Sequence, residues 1–337
     1  MIDFRFPAIR RRCRRAVAIV TLSPLALLAL LQSPPVAAQE YPARAVTMIF
    51  PFPPGGSGDT ASRAIAADMA KTLKQPVIIE NRAGGGGMQG ALAVKNGRPD
   101  GYLVSYLHIG IAVIRPSADA AFAFEPLKDY APVALTWEVW SSIVANPNAP
   151  FRDMKGLIAY ARANPGKLNM AVGGVGSVDH VTGNLLKQAA GIDFQLIPHN
   201  GAAPATAAVL GGHIEAAMLA INLEPQAASG KLVRLATASP RRLADAPDWP
   251  TVAESGVPGF AGITSWVGVF AAPGTPRDII MKLNGAINAA LNDPATRARV
   301  QNVGAPTGGT PEQALAKVRE DLAGAGPIIR KLGLKFD

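Results

Sequence analysis

The fold of this chain is decided by the stretch from Val46 to Asp59, whose sequence is Val-Thr-Met-Ile-Phe-Pro-Phe-Pro-Pro-Gly-Gly-Ser-Gly-Asp. The first five residues are apolar or β-branched, which predicts a buried strand. The next eight include three prolines and three glycines, so they predict a loop whose backbone can approach a small molecule. A strand, a glycine loop and a helix start in succession are typical of an anion site, because unpaired N–H groups and the helix dipole converge there.

The helix after this loop is predicted from a repeat of apolar residues. Ala61, Ile65, Met69 and Leu73 recur every four residues, and charged side chains lie off that stripe. Asp59 stands at the predicted start of the helix, where a carboxylate can cap it by accepting a hydrogen bond from the backbone. Two roles are therefore open for Asp59, as the helix cap or as a contact to a ligand.

Residues 1–38 have the pattern of a secretory signal peptide. Six arginines precede an apolar run from Ala16 to Leu31, and small residues follow up to Ala38, where cleavage is expected. Paired arginines leave both general and twin-arginine export open. The single cysteine, Cys13, lies in this segment, so we expect a mature protein in the periplasm without a disulfide, a thiol nucleophile or a thiolate metal ligand.

The net charge of the whole chain, +9, comes mostly from this N-terminal segment. Without residues 1–38, 27 basic and 23 acidic residues remain, for a net charge of +4. The remainder has no basic run with interleaved aromatic residues, so no nucleic-acid partner is predicted. Its roughly 299 residues are too many for one small core, and two domains are expected.

Short apolar strands alternate with helices along the mature chain. Strands are predicted at 76–80 and 102–107 with a helix at 88–96 between them, and this βαβαβ order implies a parallel sheet covered on both faces. The tetraglycine from Gly84 to Gly87 lacks the spacing of a dinucleotide fingerprint, so no nucleotide cofactor is predicted. An extended segment follows at 130–146, and after it the strand–helix alternation restarts.

A second glycine loop, Gly173-Gly-Val-Gly-Ser177, also lies between a predicted strand (168–172) and a predicted helix (178–190). A later extended segment at 265–271 would carry the chain back to the first domain. Two similar α/β units joined by two extended crossings, each with a glycine loop at a helix start, describe a cleft that closes from both sides. The predicted domains are residues 39–143 together with 267–337, and residues 144–266.

Three further helix starts are predicted from capping residues. Asp153 precedes a helical pattern that begins at Met154. Two capping boxes with proline at the first helical position begin at Thr275 and at Thr310.

These motifs resemble, in order, those of the Bug-type extracytoplasmic solute receptors, the periplasmic binding proteins of tripartite tricarboxylate transporters. The similarity covers essentially the whole mature chain, which makes it specific although each motif alone is weak. The motifs are Pro51-Phe-Pro-Pro-Gly-Gly56 with Asp59, Glu80-Asn-Arg-Ala-Gly-Gly-Gly86, Pro99-Asp-Gly-Tyr102, Leu127-Lys-Asp-Tyr-Ala-Pro-Val133, Ala163-Asn-Pro-Gly-Lys-Leu168, Leu210-Gly-Gly212, Gly230-Lys-Leu232, Pro250-Thr-Val-Ala-Glu254, Thr264-Ser-Trp266 and Ala272-Pro-Gly-Thr-Pro276.

The resemblance implies a two-domain α/β fold of the periplasmic-binding-protein type II class, each domain a mostly parallel sheet flanked by helices, with the ligand cleft between them. It implies a monomeric receptor without catalysis, cofactor or metal, which binds a small carboxylate and delivers it to membrane transporter subunits. Carried over position by position, the implied ligand-binding residues are Phe52, Gly55, Gly56, Ser57 and Asp59 in the first loop and Gly174, Gly176, Ser177 and His180 in the second.

The way in which these loops would hold a carboxylate follows from their composition. Neither loop contains Lys or Arg, so backbone N–H groups and the hydroxyls of Ser57 and Ser177 are expected to bind it. The identity of the ligand stays open among mono-, di- and tricarboxylates, aromatic acids and amino acids.

A secreted serine hydrolase is the alternative from another functional class. Ser57 and Ser177 lie at strand-to-helix turns, as a nucleophile would, but neither sits in Gly-x-Ser-x-Gly. His180 is three residues from Ser177 on one helical run, where it is poorly placed as a base. No histidine–carboxylate cluster has the spacing of metal ligands. A receptor that presents its ligand to a membrane sensor would use the same cleft as a transport receptor, so that role also stays open.

Overall fold

The described part of the chain is organised around two β-sheets, each flanked by helices. The computed structural model describes residues 40–119, 122, 124–243 and 246–333, so the predicted signal peptide lies outside the described residues. The residues from Tyr41 onward form a single unit. Within the described ranges, no helix combines the length and the apolar character needed to cross a membrane.

The strands alternate with the helices in the order that the sequence predicts for its first half. In chain order the strands are β1 (Val46–Phe50), β2 (Val77–Asn81), β3 (Leu103–His108), β4 (Ala131–Val139), β5 (Ser142–Ala145), β6 (Asn169–Val172), β7 (Gln195–Pro198), β8 (Ala216–Leu219), β9 (Val233–Thr237), β10 (Ser265–Ala271) and β11 (Ala305–Gly308). The helices are α1 (Ser57–Leu73), α2 (Met88–Lys95), α3 (Arg115–Ala118), α4 (Met154–Ala163), α5 (Val178–Ala190), α6 (Ala202–Leu210), α7 (Glu224–Ala228), α8 (Arg277–Asn292), α9 (Pro294–Gln301) and α10 (Pro311–Lys331).

The two sheets have the strand orders β11-β4-β10-β3-β1-β2 and β7-β6-β8-β5-β9. We call the parts of the chain built on them the first lobe and the second lobe. β1 pairs in parallel with both β2 and β3, which confirms the predicted βαβαβ unit. β6 likewise pairs in parallel with β7 and β8. The strands next to the crossings, β4, β5 and β10, pair antiparallel, so each sheet is mixed.

The chain passes between the sheets at two places. It leaves the first sheet at Val139 and enters the second at Ser142, so Trp140 and Ser141 form the first crossing. It returns in the segment that follows β9 and ends where β10 begins, at Ser265. The domain boundaries given above stay a prediction.

Both glycine loops leave a sheet at the carboxyl end of a parallel strand. The first loop follows β1 and the second follows β6. The register of β10 pairs Val267 with His108 and Ser265 with Val139, so β3 and β4 end at the same edge of the first sheet. In the second sheet Ser142 pairs with Leu219, so the first crossing arrives at the edge where β8 ends. The crossings therefore join the two sheet edges that carry the loops.

Apolar clusters hold each lobe together and also join the lobes. The first cluster packs α1 and α8 on the sheet through Ile65, Met69 and Ile287. The second cluster fills the other lobe around residues such as Leu157, Met170 and Phe194. A third cluster contains members of both lobes, with Val178 and Val181 of α5 beside Ile109, Ile111 and Trp266. The start of α5 therefore lies close to the segment that follows β3.

Two predicted helix starts are wrong. α1 begins at Ser57, with Gly56 at the N-cap, so Asp59 lies inside the first turn rather than at the cap. α8 begins at Arg277 with Pro276 at the N-cap, and the Thr275 hydroxyl donates instead to the Ala272 carbonyl. The caps predicted at Asp153 and Thr310 are confirmed, the second as a complete capping box. Both errors arise because proline and glycine next to the start let the backbone enter the helix without a side-chain cap.

The junction between β11 and β4 provides a test of the fold. A Cβ atom at Gly304 would lie 2.4 Å from the Glu138 carbonyl oxygen, so Gly304→Ala should force the backbone apart and cost about 1–3 kcal/mol of unfolding free energy. Gly285→Ala is the control, because Gly285 lies inside α8 and its Cβ would meet nothing within 4 Å. That change should add about 0.5–1 kcal/mol, since alanine favours helix. Urea unfolding measures both, and equal stability of the two variants would contradict this packing.

Candidate functional site

The first glycine loop presents an open surface next to an aromatic side chain. Phe52 is 39% exposed, and its ring centroid lies 5.4 Å from those of Phe50 and His108. Cβ atoms at Gly55 or Gly56 would meet nothing within 4 Å, so space lies beside both residues. Gly55 has φ +90°, which favours glycine, whereas Gly56 is extended with φ −75° and ψ 167°. A side chain at Gly56 would therefore enter this space without backbone strain.

Asp59 holds this loop in place. Its carboxylate is buried and accepts hydrogen bonds from Gly55 N at 3.0 Å, Arg63 Nε at 3.0 Å and Asn81 Nδ2 at 2.8 Å. Asn81 lies at the end of β2, and its amide also donates to the Phe52 carbonyl at 3.1 Å. The carboxylate thus connects the loop, the first helical turn and the neighbouring strand.

The charge of Asp59 is compensated locally. Burial alone would raise the pKa of Asp59, but hydrogen bonds from Arg63, Asn81 and Gly55, together with the positive charge of Arg63, outweigh that effect and hold the pKa below its ordinary value. Arg63 also donates to Asn81 Oδ1 at 2.7 Å, which fixes the guanidinium. A ligand anion near this loop would therefore approach a neutralised ion pair and not a bare carboxylate.

The N–H groups at the start of α1 are available to a ligand. Among the described residues, the N–H groups of Gly56, Ser57 and Gly58 donate no hydrogen bond, as expected for the first residues of a helix. The Gly55 N–H is already used by Asp59. The Ser57 side chain is exposed and its hydroxyl has no hydrogen-bond partner within the described part of the chain. Four donors at the start of α1 therefore have no partner within the described residues.

The second glycine loop is more strongly held by its own side chains. The Ser177 hydroxyl caps α5 by accepting from His180 N at 3.2 Å, and the His180 ring accepts at Nδ1 from Gly176 N at 3.3 Å. Ser177 N donates to the Gly174 carbonyl at 3.2 Å. Burial, with a smaller effect of the charge of Lys187, lowers the pKa of His180, so the ring is neutral near pH 7.

The second loop also leaves donors that a ligand could use. Within the described residues, the N–H groups of Gly174 and Val175 are not used in any hydrogen bond. The Ser177 hydroxyl accepts as a cap and keeps its own proton to donate. Val175 is 53% exposed at the tip of the loop. Of the four residues proposed from the sequence, Gly174 and Ser177 are thus open to a ligand, whereas Gly176 and the Nδ1 atom of His180 have internal partners.

His108 belongs to this region and is absent from the residues that the sequence suggested. It ends β3, its Nε2 donates to the Gly86 carbonyl at 3.0 Å, and its Nδ1 accepts from Gly110 N at 3.1 Å. Burial, with the nearby charge of Arg115, lowers the pKa of His108 to about 4, so the ring is neutral. It fixes the tetraglycine loop beside Phe52. The only sequence indication was its position at the end of a predicted parallel strand.

Nothing in the two loops resembles a hydrolase. The Ser177 hydroxyl is bonded to the backbone N–H of His180, and the ring accepts from Gly176, so the described residues contain no contact from this ring to the hydroxyl. No group of three histidine, cysteine, aspartate or glutamate side chains in the described ranges could hold a metal ion.

A separate cleft of 1250 Å³ lies away from the glycine loops. It is lined from the first lobe by Glu138, Trp140 and Arg297, and from the second lobe by Arg241 and Trp249, among others. These residues belong to or adjoin β4, β11, β5 and β9, at the opposite ends of the two sheets from β1 and β6. We favour the glycine loops over this cleft as the anion site, because the loops offer unpaired backbone N–H groups as donors. The volume of the cleft does not by itself indicate which ligand it would bind. The cleft is the clearest alternative location.

Comparisons with known proteins give a consistent result. The chain matches the family model described as "Tripartite tricarboxylate transporter family receptor" over residues 61–334. The protein BugT of Bordetella pertussis is 34% identical over 315 residues, which cover 90% of this chain and 93% of BugT. The structure of MatC from Rhodopseudomonas palustris with bound malate is 33% identical with a TM-score of 0.76, and the match covers 86% of this chain and 100% of that one. R. palustris Rpa4515 with adipate is 28% identical with a TM-score of 0.79, covering 88% and 99%.

The contacts of Asp59 predict a cost for Asp59→Asn. Asparagine keeps one acceptor, but its NH₂ group would face donors, and Arg63 would lose its ion pair. We expect a loss of about 1.5–3 kcal/mol of unfolding free energy at pH 7, the usual value for a hydrogen bond to a charged group. In the folded protein the pKa of Asp59 lies below its ordinary value of 3.8. The stabilisation by the carboxylate is therefore complete above pH 3.8 and is lost as the pH falls through the folded pKa. The unfolding free energies of wild type and Asp59→Asn should converge in acid.

Asp153→Asn is the matched control for this measurement. Asp153 caps α4 by accepting one hydrogen bond, from Gly156 N at 2.7 Å, and asparagine caps a helix equally well. Thermal unfolding between pH 3 and pH 7 compares the three proteins. An Asp59→Asn protein as stable as Asp153→Asn at pH 7 would show that the carboxylate does not hold the loop.

Proposed function

Because the chain belongs to the tripartite tricarboxylate transporter receptor family, we propose that it binds a small carboxylate between its two lobes and delivers it to the membrane subunits of such a transporter. The family is one of solute-binding receptors and not of enzymes. The proposed site lies in the periplasm, and the proposed working form is a monomer that opens and closes about the two crossings, with lobes that follow the predicted domain boundaries.

The observation that carries this proposal is the set of unpaired donors at the start of α1. The N–H groups of Gly56, Ser57 and Gly58 and the Ser57 hydroxyl have no partner in the described residues, and open space lies beside Gly56. A helix N-terminus typically contributes about 0.3–1 kcal/mol to a nearby anion, and up to ~2 kcal/mol when partly buried. Each hydrogen bond to a carboxylate adds roughly 1.5–3 kcal/mol. These donors can therefore bind a carboxylate without a basic side chain.

The second loop supplies the opposing wall of the proposed site. The sheet edge that carries this loop is joined to the edge of the first loop by the crossings, and α5 contributes Val178 and Val181 to the apolar cluster that also contains Ile109 and Ile111. The Gly174 N–H and the Ser177 hydroxyl are its proposed donors, and His180 is a neutral neighbour. Because these groups belong to the other lobe, a ligand held by both loops would favour the closed arrangement of the lobes.

A small dicarboxylate is the ligand class that we propose to test first. Malate and adipate, which the two R. palustris structures contain, each have two carboxylates separated by a short carbon chain. The exposed side chains of Phe52 and Val175 offer apolar contacts for such a chain, one on each loop. Donors on both loops provide for two carboxylate groups. A thermal-shift panel compares dicarboxylates with other small acids. A ligand that binds only the folded state raises the melting temperature of the protein.

Substitutions in the first loop test this site. Ser57→Ala removes one donor to the carboxylate, so malate or adipate affinity should fall by roughly one to two powers of ten. Gly56→Val should weaken binding further, because its side chain would fill the space beside the N–H groups, while the extended backbone at Gly56 accepts it without strain. Isothermal titration calorimetry measures both affinities.

Thr72→Ala is the matched control, because it removes an exposed hydroxyl from the far end of the same helix, roughly 22 Å away. It should bind like wild type. If the wild-type protein binds an acid and both first-loop variants bind it equally well, the ligand lies elsewhere, and the 1250 Å³ cleft becomes the site to test.

A further inference from the structure

A second buried aspartate lies beside the second glycine loop. Asp179 is in the first turn of α5 and is 5% exposed. Its Oδ1 accepts from the Ser141 hydroxyl at 3.0 Å and from Ala220 N at 2.6 Å. The backbone N–H of Gly173 also lies near enough to this carboxylate to lower its pKa. A Cβ atom at Gly173 would lie 3.0 Å from Oδ2, so this oxygen is in direct contact with the start of the loop.

The three partners of Asp179 come from three different parts of the second lobe. Gly173 is the first residue of the second glycine loop, Ala220 directly follows β8, and Ser141 is part of the crossing that enters from the first lobe. These partners lie 6, 41 and 38 residues from Asp179 in the chain. One carboxylate therefore connects the proposed ligand loop to the point about which the lobes would rotate.

Asp179 is not needed as a helix cap. The Ser177 hydroxyl already caps α5 by accepting from His180 N. Asp59 likewise lies in a first helical turn, two residues after the serine of its loop, Ser57, and accepts from a glycine-loop N–H, but it has Arg63 as a counter-ion. Among the described residues no cation pairs with Asp179, since its donors are a hydroxyl and two backbone N–H groups. The two aspartates thus share a position but not their electrostatic environment.

The environment of Asp179 disfavours its charged form. Burial raises the pKa of Asp179 to about 6, although the three hydrogen bonds act in the opposite direction. Because the folded pKa is raised, ionisation of this group lowers stability as the pH rises from the ordinary value of 3.8 through about 6. A carboxylate that costs stability at neutral pH, and that three groups nevertheless hold, is better explained by positioning than by stabilisation.

We propose that Asp179 is a positioning residue that ties the second glycine loop to the first crossing, so that ligand binding at the loop and closure of the lobes are coupled through its carboxylate. The ligand part of this inference rests on the proposed function. A rotation of the lobes about Ser141 would move Oδ1 through its hydrogen bond to the Ser141 hydroxyl. Oδ2 of the same rigid carboxylate contacts Gly173. The second glycine loop is therefore fixed relative to the first crossing as well as relative to α5.

Hydrogen exchange of the mature protein tests the positioning without any ligand. In Asp179→Asn an NH₂ group replaces one of the two acceptor oxygens, so at least one of the Gly173 and Ala220 amides should exchange about tenfold faster than in wild type, because a hydrogen bond to a charged group is worth about a factor of ten. Ser141→Ala should speed exchange at the same amides by a smaller factor. Asp153→Asn, a conservative change at a cap in the same lobe, should leave them unchanged. Unchanged exchange in Asp179→Asn overturns the inference.

Calorimetry with malate and adipate tests the coupling. Ser141 belongs to neither loop, yet Ser141→Ala should weaken binding by about tenfold, and the double variant with Asp179→Asn should bind no more weakly than Asp179→Asn alone. A purely structural role would lower the melting temperature and leave affinity unchanged below it. Wild-type affinity in Ser141→Ala overturns the coupling even if Asp179→Asn fails to fold. If the wild-type protein binds neither acid, the proposed function fails, and the exchange measurement still decides the role of Asp179.

Discussion

The proposed ligand site depends on the backbone N–H groups at the starts of α1 and α5. The first N–H groups of a helix have no carbonyl partner within it, and they must be satisfied by a side chain, by solvent or by a ligand. Among the described residues, no side chain satisfies them in α1, because glycine occupies the N-cap, and a Cβ atom at this glycine would meet nothing within 4 Å. In α5 the Ser177 hydroxyl accepts from one of them, the N–H of His180. The two loops are therefore alike in topology but differ in that only the second has a side-chain cap.

A buried aspartate lies behind each of the two loops. A negative charge near the proposed anion site would weaken anion binding, and the two lobes compensate this charge differently. Asp59 is paired with Arg63 and fixed by Asn81, so its charge is neutralised close to its source. Asp179 is held by neutral donors and has a raised pKa. A ligand anion bound near Asp179 would further disfavour its ionised form, which links the second loop to pH.

Local patterns in the sequence predict the local structure well. The strand at 46–50, the apolar stripe of α1, the second glycine loop with Ser177 before its helix, and the parallel βαβαβ unit all follow from periodicity and turn residues. The predicted N-cap of α1, Asp59, lies three residues after the actual one, Gly56, because Ser57 and Gly58 are weak helix formers that nevertheless enter the helix here. The contacts of Asp59 with Asn81, of His108 with Gly86 and of Asp179 with Ser141 span 22 to 38 residues, and no local pattern encodes which distant residue a side chain meets.

We propose that a carboxylate binds between the lobes on the unpaired N–H groups of the first glycine loop. A crystal structure of the mature protein with malate, or with the acid that the thermal-shift panel ranks first, tests this most directly. We predict a carboxylate oxygen within about 3 Å of the N–H groups of Gly56 and Ser57, the usual hydrogen-bond distance, with the second loop closed over the ligand. A ligand seated in the cleft beside Arg241 and Arg297, with the first loop empty, would contradict the account.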